Sequence, residues 1–277
     1  MAILLGIATA ILLGSSDFWA ARAARTTPSV TVTRSAIIVS AALSPLLLLL
    51  TPSAWILRDV VIGGLAGLTM ITGLLMLYRG YSVARMGIVA PMSSVLLGAV
   101  PVFYDAVRGI RPGPVAATGI VVGLCALVLT SWQPGGHGSA SIGIVLGIAS
   151  GVAFGVAFTL LGAASEASGL VPIVMQRISS LVLLLVLHLI GKAPFFATER
   201  SDRRAVVATA VFATAAMGAL QLGFQRGSSG PVSVAASQFA TVAVILSVVF
   251  NRERMRWWQA IGVGATAVGV ALMALGS

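Results

Sequence analysis

Ser141-Ile-Gly-Ile-Val-Leu-Gly-Ile-Ala-Ser-Gly-Val-Ala-Phe-Gly155 places glycine at 143, 147, 151 and 155, in a run without a charge. The chain opens on a variant of the same segment, in which Ala2, Gly6, Ala10 and Gly14 hold the matching positions. A four-residue period lines these positions along one face of a helix, and a face of small residues lets two backbones approach closely. Close approach is how helices associate in lipid, where apolar side chains gain little by leaving one hydrocarbon for another. Both segments therefore predict membrane-spanning helices packed through Gly6, Gly14, Gly143, Gly147, Gly151 and Gly155. The same smooth faces would let two helices slide or rock.

The likeness extends along the chain. Leu5-Gly6-Ile7-Ala8 recurs as Leu146-Gly147-Ile148-Ala149 at an offset of 141, and Gly14 recurs as Gly155. Arg34 and Arg177, Gly80 and Gly223, Gly87 and Gly230, and Gly119 and Gly262 are related by 143. A near-constant offset marks a duplication. Apolar windows bounded by charge, proline or polar clusters place spans near 2–21, 30–50, 60–78, 84–107 and 115–132, then near 142–164, 171–190, 205–224, 232–250 and 257–275. Each copy holds five, and an odd number of spans turns the second copy over. The expected architecture is all-α and integral to the membrane, with ten transmembrane helices as two inverted five-helix repeats. These are residues 1–132 and 142–277, joined by a linker at 133–141. Pro91 and Pro101 each remove a backbone donor from the fourth span and predict a bend there.

Composition agrees. The 277 residues are 58% hydrophobic and 9% charged, with mean hydropathy +1.05. Ten spans of about 20 residues leave about 8 per loop or tail, too few for a soluble catalytic or nucleotide-binding domain. Seventeen Lys and Arg against seven Asp and Glu sit at the edges of apolar runs, so they point to anionic headgroups and away from nucleic acid. Cys125, the single cysteine, reads as a small buried hydrophobe. The first apolar run lacks a basic leader and continues to Asp17, which makes it a span and not a cleaved signal. His137 and His188 have no ligand-spaced partners, and no glycine-rich loop ends in Gly-Lys-Ser/Thr. No catalytic residue, metal or cofactor is expected, and ATP-driven transport on this chain is excluded. The expected partners are the bilayer, a small-molecule substrate and a coupling proton or ion.

Charges inside spans are costly and therefore informative. Asp17 stands late in the first span, where it could face a wet cavity and bind a proton or a cationic group, or lie at the interface beside Arg22. Arg34 and Arg177 stand early in spans two and seven, facing a cavity or snorkelling to headgroups. Asp105 and Glu166 are weaker cases. Ser93 and Ser94, Ser237, which is the repeat partner of Ser94, and Gln238 could meet a substrate or a neighbouring helix. Tyr78, Tyr104 and Trp19 read as an interfacial belt.

The closing segment Gly230-Pro231-Val232-Ser233-Val234, leading to Asn251-Arg252-Glu253-Arg254 and then to Gly262 and Gly269, resembles the EamA family of the drug/metabolite transporter superfamily. The stretch from Gly87 through Pro101 to Gly119 resembles it too, with Ile110 where Glu253 has its repeat partner. The resemblance implies ten helices around a central cavity and secondary transport of small, amino-acid-like metabolites by alternating access, often export, at the cell membrane. A broad-range multidrug exporter is the alternative within that class. A lipid-modifying membrane enzyme would need a cluster of acids or metal ligands that the sequence lacks. The resemblance also implies cytoplasmic termini. The basic residues argue the reverse, because twelve fall in loops opposite the termini and four on the same side.

Overall fold

The computed structural model describes residues 1–24, 26–83, 86–132, 140–190, 200–251 and 255–276. Its helices are α1 (Ala2–Ala23), α2 (Ser29–Leu43) with a 3₁₀ extension Ser44–Leu49, α3 (Leu57–Val83), α4 (Met86–Val107) and α5 (Pro114–Ser131). There follow α6 (Ala140–Gly162), α7 (Val171–Ile190), α8 (Arg200–Phe224), α9 (Ser229–Ser237), α10 (Phe239–Asn251) and α11 (Trp257–Leu275). Eight stretches are long and apolar enough to cross a bilayer, α9 and α10 together forming one of them. The shorter apolar stretches Met92–Val107 and Pro114–Thr130 bring the apolar passes among the described residues to ten. Both chain ends lie at one face, here the near face, where Ile3 of α1 packs with Met273 of α11.

Eight passes close a ring. α1 packs on α8 and on α9 and α10, α4 on α9 and α6, α3 on α6 and α7, and α2 on α7 and α8. α5 and α11 pair with each other outside it. The contacts repeat between halves: α1 on α8 has its counterpart in α6 on α3, and α2 on α8 in α7 on α3. The glycine stripes make the same point at atomic scale. A Cβ on Gly6 would lie 2.8 Å from the Ala235 Cβ and 3.0 Å from the Val232 carbonyl oxygen. On Gly147 it would lie 2.8 Å from the Met92 Cβ and 3.0 Å from the Val89 carbonyl oxygen. Val232 and Ala235 are the repeat partners of Val89 and Met92. Gly14 and Gly155 would put a Cβ 2.6 Å from Val242 and 2.5 Å from Val100, and Gly151 one 2.7 Å from Leu96. Gly143 is buried in the same stripe. These distances leave no room for a side chain.

α4 is helical through both Pro91 and Pro101, each of which removes one bond of its ladder without ending it. The break comes in the corresponding pass of the second half, at Gln238 between α9 and α10. There the Gln238 Nε2 donates to the carbonyls of Val234 (3.3 Å) and of Gly123 on α5 (3.1 Å), and its Oε1 accepts from Thr266 on α11 (3.0 Å). A side-chain amide thus takes up backbone acceptors at the break, which stabilises the interruption in an apolar setting. Cys125 is exposed on α5 and not buried.

The near half of the ring is filled. Leu97, Phe154, Phe158, Ile173, Met217 and Phe224 are buried in one apolar cluster, with Leu13 and Leu74 packed against it. Phe158 and Phe224 meet edge to face with ring centroids 6.0 Å apart.

Candidate functional site

A polar layer lies directly over this plug on the side of the far face. One helical turn beyond Leu13, Leu74 and Ile173 stand Asp17, Tyr78 and Arg177. On α4 and α6, which run the other way, Ser93 and Ser150 stand one turn beyond Leu97 and Phe154, and on α8 Thr214 stands beyond Met217. Residues four apart share a helix face, so these side chains continue the inward face of the plug. The Ser150 hydroxyl donates to the Ser93 Oγ (2.9 Å), and the Ser40 and Thr214 hydroxyls meet at 2.7 Å. Small hydroxyls at this depth bond across helices.

Asp17 is exposed. On α1 it lies between the face that meets α8, where Ser16 donates to the Thr209 carbonyl (3.0 Å), and the face that meets α10, where Phe18 packs 5.5 Å from Phe250. α8 and α10 flank α1 in the ring, so the carboxylate points into it. It is within electrostatic reach of Tyr78, whose hydroxyl accepts from Thr33 (3.1 Å). Asp17 makes no hydrogen bond or ion pair among the described residues. The other three aspartates do.

Arg34 is buried between α2 and α7, and its Nη1 donates to the His188 Nδ1 (2.7 Å). A guanidinium can only donate, so Nδ1 accepts and the ring proton is on Nε2. Arg177 is 6% exposed. Its Nη2 donates to the Ala213 carbonyl of α8 (3.0 Å), and its Nε is buried without an acceptor. A charged side chain at the centre of a span costs roughly 2.5–3.5 kcal/mol on insertion scales. One carbonyl is a weak return for that.

Of the candidates read from the sequence, Asp17 and Arg177 fall in the layer, and Arg34 beside it at the far face. Ser94 is buried on α4. The Ser237 hydroxyl donates back to the Val234 carbonyl (2.8 Å), and Gln238 turns toward α5 and α11, so neither side chain belongs to the layer. Asp105 caps α9, accepting from the Ser229 hydroxyl (2.8 Å) and the Gly230 N–H (2.6 Å). Glu166 is exposed in the 3₁₀ turn Glu166–Ser168. His137 and Glu253 lie outside the described residues.

Sequence reasoning missed Asp59 and Asp202, which are repeat partners in the first turns of α3 and α8. Asp59 accepts a short hydrogen bond from the Ser165 hydroxyl and another from its N–H (3.2 Å), which fastens the α6–α7 connection. Asp202 accepts from the Thr26 (2.8 Å) and Thr27 (2.6 Å) hydroxyls, which fastens the α1–α2 connection at the opposite face. Their spacing of 143 was the available signal.

Residues 141–275, from the start of α6 to the end of α11, match the EamA-like transporter family. A protein known from a crystal structure superposes with a TM-score of 0.80 at 20% identity, over 99% of this chain and 96% of its own, which shows a shared fold. No curated protein sequence matches the chain. The similarity of residues 141–275 to a family of transporters and the apolar passes support a multi-pass membrane protein.

Proposed function

We propose that the chain is a secondary transporter of small, amino-acid-like metabolites in the plasma membrane, and that its halves, 1–132 and 142–277, are inverted repeats that rock to exchange access between faces. The observation that carries this reading is the polar layer, which continues toward one face and is stopped by an apolar plug toward the other. A ring with one end sealed is half of an alternating-access cycle, and the paired contacts of the two halves support a symmetry-related second state. Glycine stripes at the α1–α9/α10 and α4–α6 contacts supply surfaces smooth enough for small sliding movements. In the sequence twelve of the basic residues fall in the loops opposite the termini, which by the positive-inside rule favours a mouth toward the cytoplasm, where an exporter loads.

Asp17 is the residue best placed to greet a substrate or coupling cation at that mouth. Purified protein in proteoliposomes should give saturable counterflow of a radiolabelled amino acid from a panel. Asp17→Asn should lower it about tenfold, the size of losing about 1.4 kcal/mol of binding. Absence of saturable flux for every member of a panel of amino acids, amines and organic acids would defeat the proposal.

A further inference from the structure

Arg177 is a buried cation with little compensation among the described residues. It is 6% exposed, and of the five N–H donors of a guanidinium a single one is engaged, with the Ala213 carbonyl at 3.0 Å. Its Nε is fully buried without an acceptor. Beside it the Gln176 Nε2 approaches the Met217 sulfur at 3.9 Å, while the Gln176 Oε1 is also buried without a donor. No carboxylate forms an ion pair with Arg177 among the described residues. Asp59, Asp105 and Asp202 are held at helix ends by the hydrogen bonds described above.

Its position turns this deficit toward the passage. Ile173, one turn nearer on α7, and Met217, one turn nearer on α8, both belong to the apolar plug. The guanidinium therefore reaches from α7 to α8 directly over the plug, on the inward side, in the layer that also contains Asp17, Tyr78 and the Ser40–Thr214 pair. A helix-fastening role would need the carbonyl contact but would leave no reason for a buried, unmatched Nε.

We infer that Arg177 is the receptor for the anionic group of the substrate, and that this group is a carboxylate. The inference deepens the transport reading above and rests on it. A planar guanidinium with unused donors meets a carboxylate through parallel hydrogen bonds, and pairing removes the penalty of a lone charge in a place of low dielectric. One positive charge among hydroxyl, thioether and amide neighbours matches one negative charge, whereas a dianionic phosphate calls for more cations. With Asp17 in the same layer, the arrangement suits a solute that turns its carboxylate toward Arg177 and an ammonium toward Asp17.

The test is counterflow in proteoliposomes with matched pairs: leucine against leucinamide, phenylalanine against phenylalaninamide, and phenylacetate against phenylacetamide. Amides keep size and hydrogen bonding and lose the negative charge. Wild-type protein should move the carboxylate of a pair at least tenfold faster than the amide. Arg177→Gln should abolish that preference while its melting temperature in detergent stays within a few degrees of wild type, and Arg177→Lys, which keeps the charge, should retain part of it. Equal rates for both members of every pair in wild type, or an unchanged preference in Arg177→Gln, would overturn the inference. A protein that moves amines or neutral solutes but no carboxylate would overturn it alone, and one that moves nothing would overturn the transport reading as well.

Discussion

Leu13 and Asp17 on α1 stand where Phe154 and Phe158 stand on α6, at the offset of 141 that also relates Gly6 to Gly147. On α3 and α8, Tyr78 has Gln221 as its partner at 143. The glycine edges of α1 and α6 meet repeat-related residues at similarly close range, yet the inward faces between them differ in chemistry. One carries a carboxylate in an open, polar setting. The other carries two phenyl rings, with Phe158 closed against Phe224 and the Gln221 amide donating to the Leu161 carbonyl (3.3 Å). The lesson is that duplication supplies two equivalent frames, while a few inward side chains decide which end of the ring is sealed.

That comparison can be broken most severely at the shared frame. A leucine at Gly155 must displace Val100, and one at Gly14 must displace Val242; each overpacked contact should destabilise by about 1–3 kcal/mol or prevent insertion. Equal losses of melting temperature in detergent for the two variants would support equivalent frames. Tolerance of one and not the other would contradict it.

The difference between the inward faces is the next target. Phe158→Ala removes the ring that closes on Phe224, and a core Phe→Ala change costs about 3–5 kcal/mol where the site does not relax. We predict that this plug, if opened, raises leak of a small solute through proteoliposomes severalfold, whereas Tyr78→Phe in the polar layer leaves leak unchanged. Similar leak in both variants would remove the distinction between the ends.

Smaller effects should follow at the Asp59 and Asp202 clasps, each a charge-assisted bond worth about 1.5–3 kcal/mol. Asp59→Asn and Asp202→Asn should lower thermal stability by similar amounts, with Thr27→Val reproducing part of the Asp202 loss. Smallest of all is Tyr78→Phe, which removes the Thr33 hydrogen bond, worth about 0.5–1.5 kcal/mol, and should shift apparent affinity for solute more than the melting temperature.

Much of the frame was legible because it is periodic. Glycine every fourth residue, five apolar windows per half and a constant offset are signals that survive divergence in the remaining positions. The residues of the layer that the sequence singled out are charges in apolar runs, Asp17 and Arg177, and the hydroxyl of Ser93. Ser40, Ser150 and Thr214 were not singled out, because a hydroxyl in a span bonds as readily to its own helix as to a neighbour, and which it does depends on packing across sequence separations of 57 and 174 residues. Gln238 misled for the same reason: its amide serves a helix break that no proline marks. Asp59 and Asp202 sit at span ends, where an acidic residue ordinarily reads as a helix-dipole partner, and their role emerges only when each meets a loop of the opposite half.

The most direct test of a passage open toward one face and sealed toward the other is thiol accessibility in a Cys125→Ser background. Single cysteines at Asp17 and Phe158 would be challenged with a membrane-impermeant maleimide in vesicles of both orientations without substrate. We predict that position 17 reacts from the far face alone and that position 158 reacts from neither; labelling of position 158, or protection of position 17 from both sides, would contradict the sealed and open ends described here.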